Sequence, residues 1–143
     1  MLINTLQLIC IAFSDSATME FIKIREILDK NSVLLGNGCR LWFGGHSNFA
    51  KKADHSPTLY GRLRHAGKVF LVHRLAMMVA MGTDQLPPNQ VVSHLCHNGL
   101  CINEEHIILE SQGLNNHRKT CHSTKHCTNA HHPPCLAHLA LGM

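Results

Sequence analysis

The stretch "SHLCHNGLCINEEHI", residues 93–107, packs two cysteines and three histidines into fifteen positions, and whether they form one site or two decides the fold. Cys96, Cys101 and His106 follow one another as C-x4-C-x4-H. Three donors fall one short of the tetrahedral sulfur and nitrogen set that a structural zinc prefers. Further along, Cys121, Cys127, His131 and Cys135 follow as C-x5-C-x3-H-x3-C and supply four ligands by themselves. His132 is an alternative to His131, and His126 a weaker one. Cys39, in "GNGCRLW", completes the first set: Cys10 is the only other cysteine, and the strand that Cys39 begins can return beside the knuckle.

A metal staple also answers a problem of composition. A chain of 143 residues has room for one domain, but its Leu, Ile, Val and Met lie mostly before about residue 110. The remainder is dominated by His, Cys, Asn, Lys, Thr and Pro, which form no packed core alone, whereas structural zinc contributes on the order of 10 kcal/mol to folding. Seven cysteines and thirteen histidines read as metal binding before they read as disulfides. The odd count leaves Cys10 unpaired, and no charged n-region or A-x-A-like cleavage site accompanies the apolar N-terminus. Reduced thiols then place the protein in the nucleus or cytoplasm. The apolar run "LINTLQLICIAF" is too short to span a bilayer, so no membrane partner is expected. Net charge is +4, with the basic excess in residues 51–74 and 117–125, which allows a polyanionic partner without demanding one.

Around the knuckle the chain divides into short elements. "SATMEFIKIREILDKNS" places Phe21, Ile24, Ile27 and Leu28 at helical spacing, with Ser16 or Thr18 available as a cap. "CRLWFGG" and "LYGRLRHAGKVFLVHR" read as strands, the second folded at "HAG", and predict a three-stranded meander. "HRLAMMVAMG" predicts a helix ended by Gly82, and "VVSHLCH" a short strand. Asn98-Gly99 is the dipeptide that most readily takes positive φ. "ESQGLNNHRK" predicts a short helix, weakened by Gly113, with Asn115 and Arg118 on one face. The expected domains are a tail over 1–18, one folded unit over 19–136 with its zinc-binding loops at about 91–136, and a short tail over 137–143.

Once Cys96, Cys101 and His106 are given to zinc, His94 and His97 are left over. In an extended "SHLC", His94 and Cys96 share one side of the strand, so a zinc anchored at Cys96 fixes the backbone under His94. A rigidly held neutral imidazole is a fit general base for activating water. No role follows for His97.

"VSHLCHNGLCINEEHIILES", followed by an asparagine, a basic cluster and the second Cys/His set, resembles the His-Cys box homing endonucleases, a branch of the ββα-metal (His-Me finger) nucleases. The match is closest over about residues 91–136; "CRLW", "YGRL" and "HRLA" upstream are similar in shorter words. The resemblance implies an α+β fold: a small zinc-stapled His-Me finger with an antiparallel β-sheet, few short helices and two structural zincs. It implies a Mg²⁺-dependent endonuclease hydrolysing DNA phosphodiester bonds, with His94 as general base and Asn115 holding the single Mg²⁺, or Asn116 if the alignment slips by one. Arg62, with Arg64 second, would contact the scissile phosphate. The sheet would lie in the major groove of double-stranded DNA, with Lys51, Lys52, Arg62, Arg64 and Lys68 against phosphates and Asn48 and His65 near base edges. A homodimer, found among the family's members, would supply two active sites for two strands; with only "LAHLALGM" after Cys135, a monomeric nicking module or a different mode of dimerisation is the alternative. Two other classes compete: a catalytically inactive zinc-stapled DNA-binding module, and a purely structural zinc protein that binds no DNA.

Overall fold

The structure, a computed structural model, describes residues 15–48, 59–124, 127 and 131–136, with the backbone alone at 15–19 and 48. Lys51, Lys52, His126, Cys10 and the tail 137–143 lie outside the described residues. Helix α1 spans Asp15–Lys30. Ile24 and Leu28, one turn apart, are its buried contacts, and Asn31 ends it by bonding Ile27 O through both its backbone N and its side chain. Ser16 and Thr18 lie inside the helix and do not cap it: nothing between Asp15 and Met19 breaks a helix, so the period runs back past the expected boundary.

Strands β1 (Ser32–Leu34) and β2 (Arg40–Trp42) form a hairpin of their own. The expected meander exists, but with a different first member: β3 (His46–Asn48) pairs with β4 (Leu59–His65), which pairs with β5 (Lys68–Leu71). Trp42 explains the exchange. Its buried indole donates to Gly45 O at 2.8 Å, turning the chain after β2, and it fills the space where a Cβ on Gly44 or Gly61 would stand 2.3 or 2.7 Å away. The "HAG" turn is in place, with Ala66 and Gly67 at φ 47° and 76°, the two positive values of a type I′ hairpin.

Helix α2 (Val72–Met81) follows β5 directly and is closed by Gly82 at φ 63°, whose N–H caps Met78 and Val79. Val72, Leu75 and Ala76 pack with Ile24, Leu28, Trp42, Val92, Ile102 and Ile107 into one core. Strands β6 (Val91–His94) and β7 (Ile107–Glu110) pair antiparallel, His94 opposite Ile107, with the knuckle and a 3-10 turn (Glu104–His106) between them. Helix α3 (Gln112–Thr124) completes a β–β–α unit. Ser111 caps it, its Oγ accepting from Leu114 N at 3.2 Å, as N-cap serines do. It runs five residues beyond the expected end, so Cys121 sits on its last turns. The fold is a small α+β domain of three helices and antiparallel sheets, consistent with a zinc-stapled His-Me finger. Among the described residues no helix is long and apolar enough to cross a membrane.

Candidate functional site

Cys39, Cys96, Cys101 and His106 come together with their ligand atoms within 4.8 Å of one another. Strand β2 brings Cys39 in, and a bridge between Leu41 and Cys101 lays that strand against the knuckle. Asparagines shape the loops: Asn37 Oδ1 accepts from Cys39 N, Asn98 Oδ1 from Leu100 N, and Asn103 Oδ1 from Glu105 N, each at 3.0 Å. The positive φ expected at Asn98-Gly99 falls instead on His97 (φ 58°), because Asn98 makes its turn with its side chain. Gly38 (φ 83°) leaves room for His106, whose imidazole would lie 3.2 Å from a Cβ there.

His106 Nδ1 is 3.5 Å from Cys39 Sγ and 3.7 Å from Cys101 Sγ. A tetrahedral zinc with ordinary Zn–S and Zn–N bonds has sulfur–nitrogen edges of about 3.6 Å, so the donor set and its spacing both fit the ion. A hydrogen bond from Cys96 lowers the Cys101 thiol below the usual thiol range, while the same bond and burial push Cys96 above it.

The second cluster, Cys121, Cys127, His131 and Cys135, meets the same 4.8 Å limit. His131 Nε2 lies 3.6 Å from Cys127 Sγ and 2.9 Å from Cys135 Sγ. His131 is buried and His132 exposed, so His131 is the imidazole of the set. The three thiols and one imidazole again suit a closed zinc site. The two knuckles touch: Leu136 N donates to Leu95 O at 2.7 Å, and the rings of His97 and His122 stack at 4.8 Å. His97, which the sequence leaves without a role, is thus packed between the loops.

His94 lies at the end of β6, buried, with Nε2 3.0 Å from Cys101 O. A carbonyl only accepts, so Nε2 carries the proton and the lone pair resides on Nδ1. Burial lowers the His94 pKa to about 4, keeping the ring neutral. Two rings stand against it: His73 at 4.7 Å and Tyr60 at 6.1 Å between centroids. His73 is itself held at about 3, chiefly by burial, and its Nδ1 has no hydrogen-bond partner. Asn115 Oδ1 accepts from Ser93 Oγ at 3.1 Å, which draws this amide to β6 one residue from His94. Asn116 faces solvent and pairs with Gln112 at 2.9 Å.

On β4, Tyr60, Arg62 and Arg64 alternate onto one face. Both arginines are exposed, and Tyr60, two residues from Arg62, reaches His94. Lys68 and His65 pair with each other on the opposite face, and His65 is engaged by Glu20 of α1. The structure therefore gathers Arg62 and Arg64 but separates Lys68 and His65 from them. Asn48 is placed only by its backbone pairing with Leu59. Sequence reasoning missed His73, Tyr60, Ser93 and the pair Glu110–Arg118. The signal for His73 is its place on the buried face of α2 beside Val72 and Ala76.

The chain matches the family model described as the zinc-binding loop region of homing endonuclease over residues 45–139. The protein therefore belongs to the homing endonuclease zinc-binding-loop family, and its two Cys/His clusters agree with the zinc in that description. No curated protein and no solved structure matches it.

Proposed function

We propose that this protein is a Mg²⁺-dependent endonuclease of double-stranded DNA, with zinc in both Cys/His clusters. The observation that carries the reading is the bond from His94 Nε2 to Cys101 O. It fixes the tautomer, and it ties the ring to a residue of the first cluster, so the scaffold that holds a metal also aims Nδ1. A neutral imidazole so held takes a proton from water, and the carbonyl steadies the imidazolium that results. Asn115 offers a neutral amide oxygen with one lone pair beyond the bond from Ser93, a donor that suits Mg²⁺ when waters and phosphate oxygens complete the octahedron. Bound there, Mg²⁺ would supply charge stabilisation at the phosphate. Arg62 would bind a phosphate oxygen, with Arg64 beside it on the same exposed strand face. Two such sites in a homodimer would cut two strands. We place it in a reducing compartment, nucleus or cytoplasm, because cysteines that serve as zinc thiolates must stay reduced.

One observation favours the inactive module: His94 is only 9% exposed, so a water must reach a nearly closed ring. Both readings predict DNA binding that weakens steeply with salt. Incubation with plasmid and with a randomised duplex library, with and without Mg²⁺, separates them. We expect cleavage by the native chain only with Mg²⁺, and none by His94→Ala, whose zinc content and DNA affinity remain. Cleavage surviving in His94→Ala would overturn the assignment, and binding without cleavage by the native chain would establish the inactive module.

A further inference from the structure

Glu110, the last residue of β7, and Arg118, on α3, are 5% and 1% exposed. Arg118 Nε donates to both carboxylate oxygens, at 3.0 and 2.9 Å. On its other side Nη1 points at Cys135 Sγ, 3.8 Å away, and Nη2 is buried without a partner. One guanidinium thus spans the strand that pairs with the His94 strand and a sulfur of the second cluster. A buried ion pair by itself is a weak source of stability, since desolvating two charges offsets their attraction. The geometry gives this arginine a second purpose. Three thiolates and one neutral imidazole around a divalent zinc leave one net negative charge in a largely buried site, and a fixed N–H donor on a ligand sulfur relieves it.

We propose that Arg118 is a positioning residue for the second zinc: Nη1 donates to the Cys135 thiolate and offsets the charge of the cluster, while the Nε bonds to Glu110 lock that cluster to the β6–β7 hairpin. The inference rests on zinc occupying the second cluster and is independent of nuclease activity.

The experiment uses the full zinc-loaded chain, challenged with increasing chelator, and reads which cysteines become open to alkylation by peptide mass spectrometry. In Arg118→Met we expect Cys121, Cys127 and Cys135 to label at 10- to 100-fold lower chelator than in the native chain, the usual loss when a residue bonded to a metal ligand is removed. Cys39, Cys96 and Cys101 should label as before. Because Arg118→Met also strands the Glu110 carboxylate, Glu110→Gln with Arg118→Met is the deciding variant: it removes both charges and leaves the cluster without its donor. We expect its second cluster to stay labile. Native resistance in the double variant would mean that Arg118 serves only Glu110, and equal lability of both clusters would mean a general structural role; either overturns the proposal. A native chain carrying fewer than two zincs would instead refute the zinc reading beneath it.

Discussion

His73 and His94 are two buried imidazoles 4.7 Å apart, and their burial shows in stability before it shows in chemistry. The His73 pKa is lowered to about 3 by burial, with His94 and Arg74 adding repulsion, against about 6.5 in an unfolded chain. Between those values the unfolded state binds a proton that the folded state refuses. The stability from keeping His73 neutral is complete above about pH 6.5 and is lost as pH falls toward 3, by about 2 kcal/mol between pH 7 and pH 5. His73→Phe keeps a ring in the site and removes the titration, so its urea-unfolding free energy should fall by about 2 kcal/mol less than the native chain's over that interval. Equal slopes would place the proton elsewhere. Gly61 is constrained in the opposite sense: a Cβ would meet Trp42 at 2.7 Å and Val72 at 3.1 Å, while the indole is held by its bond to Gly45 O. Gly61→Ala, favourable by strand propensity alone, should therefore cost about 1–3 kcal/mol in denaturant titration.

At the scale of the element, β4 divides the proposed DNA contacts in two. Arg62 and Arg64 stand on the exposed face that Tyr60 continues to His94, while Lys68 and His65 stand on the other. Arg62→Gln and Arg64→Gln should each weaken duplex binding and reduce the slope of log affinity against log salt by about one, whereas Lys68→Gln should leave the slope unchanged. Fluorescence anisotropy across a salt series reads both, and a slope change in Lys68→Gln would mean that the other face meets DNA. The hairpin is legible in sequence because its alternation and its turn are local, and so are seven of the eight clustered Cys and His residues, because ligation demands fixed residue types at short spacing; Cys39, 67 residues from His106, follows only as the cysteine left to complete a set of four. What failed was non-local. The partner of β2 depends on how Trp42 turns the chain, and β7 carries no signal except its pairing with β6. The length of α3 escaped for a similar reason. Gly113 weakens it locally, but the Arg118–Glu110 pair ties it to β7.

Across the whole molecule the two clusters close loops of very different size, and that difference predicts what each does for the fold. In the first, Cys39 and His106 are 67 residues apart, and the enclosed chain holds β2 through β6, α2 and most of the core. The second joins residues 121–135 at the end of α3, touching the rest through Leu136 N on Leu95 O, the His97–His122 stack and Arg118. Removing one ligand from a structural zinc forfeits much of a binding free energy on the order of 10 kcal/mol, more than a small domain has to spare. Cys101→Ser should consequently abolish the cooperative thermal transition and the hydrogen-exchange protection of β6 and β7 together. Cys127→Ser should lower the melting temperature yet leave a cooperative core, with protection lost from the later turns of α3 onward, since Ile24, Leu28, Trp42, Leu75 and Val92 pack without that loop. If Cys127→Ser unfolded the protein as completely as Cys101→Ser, the knuckles would be a single cooperative unit, and the loop-size argument would fail.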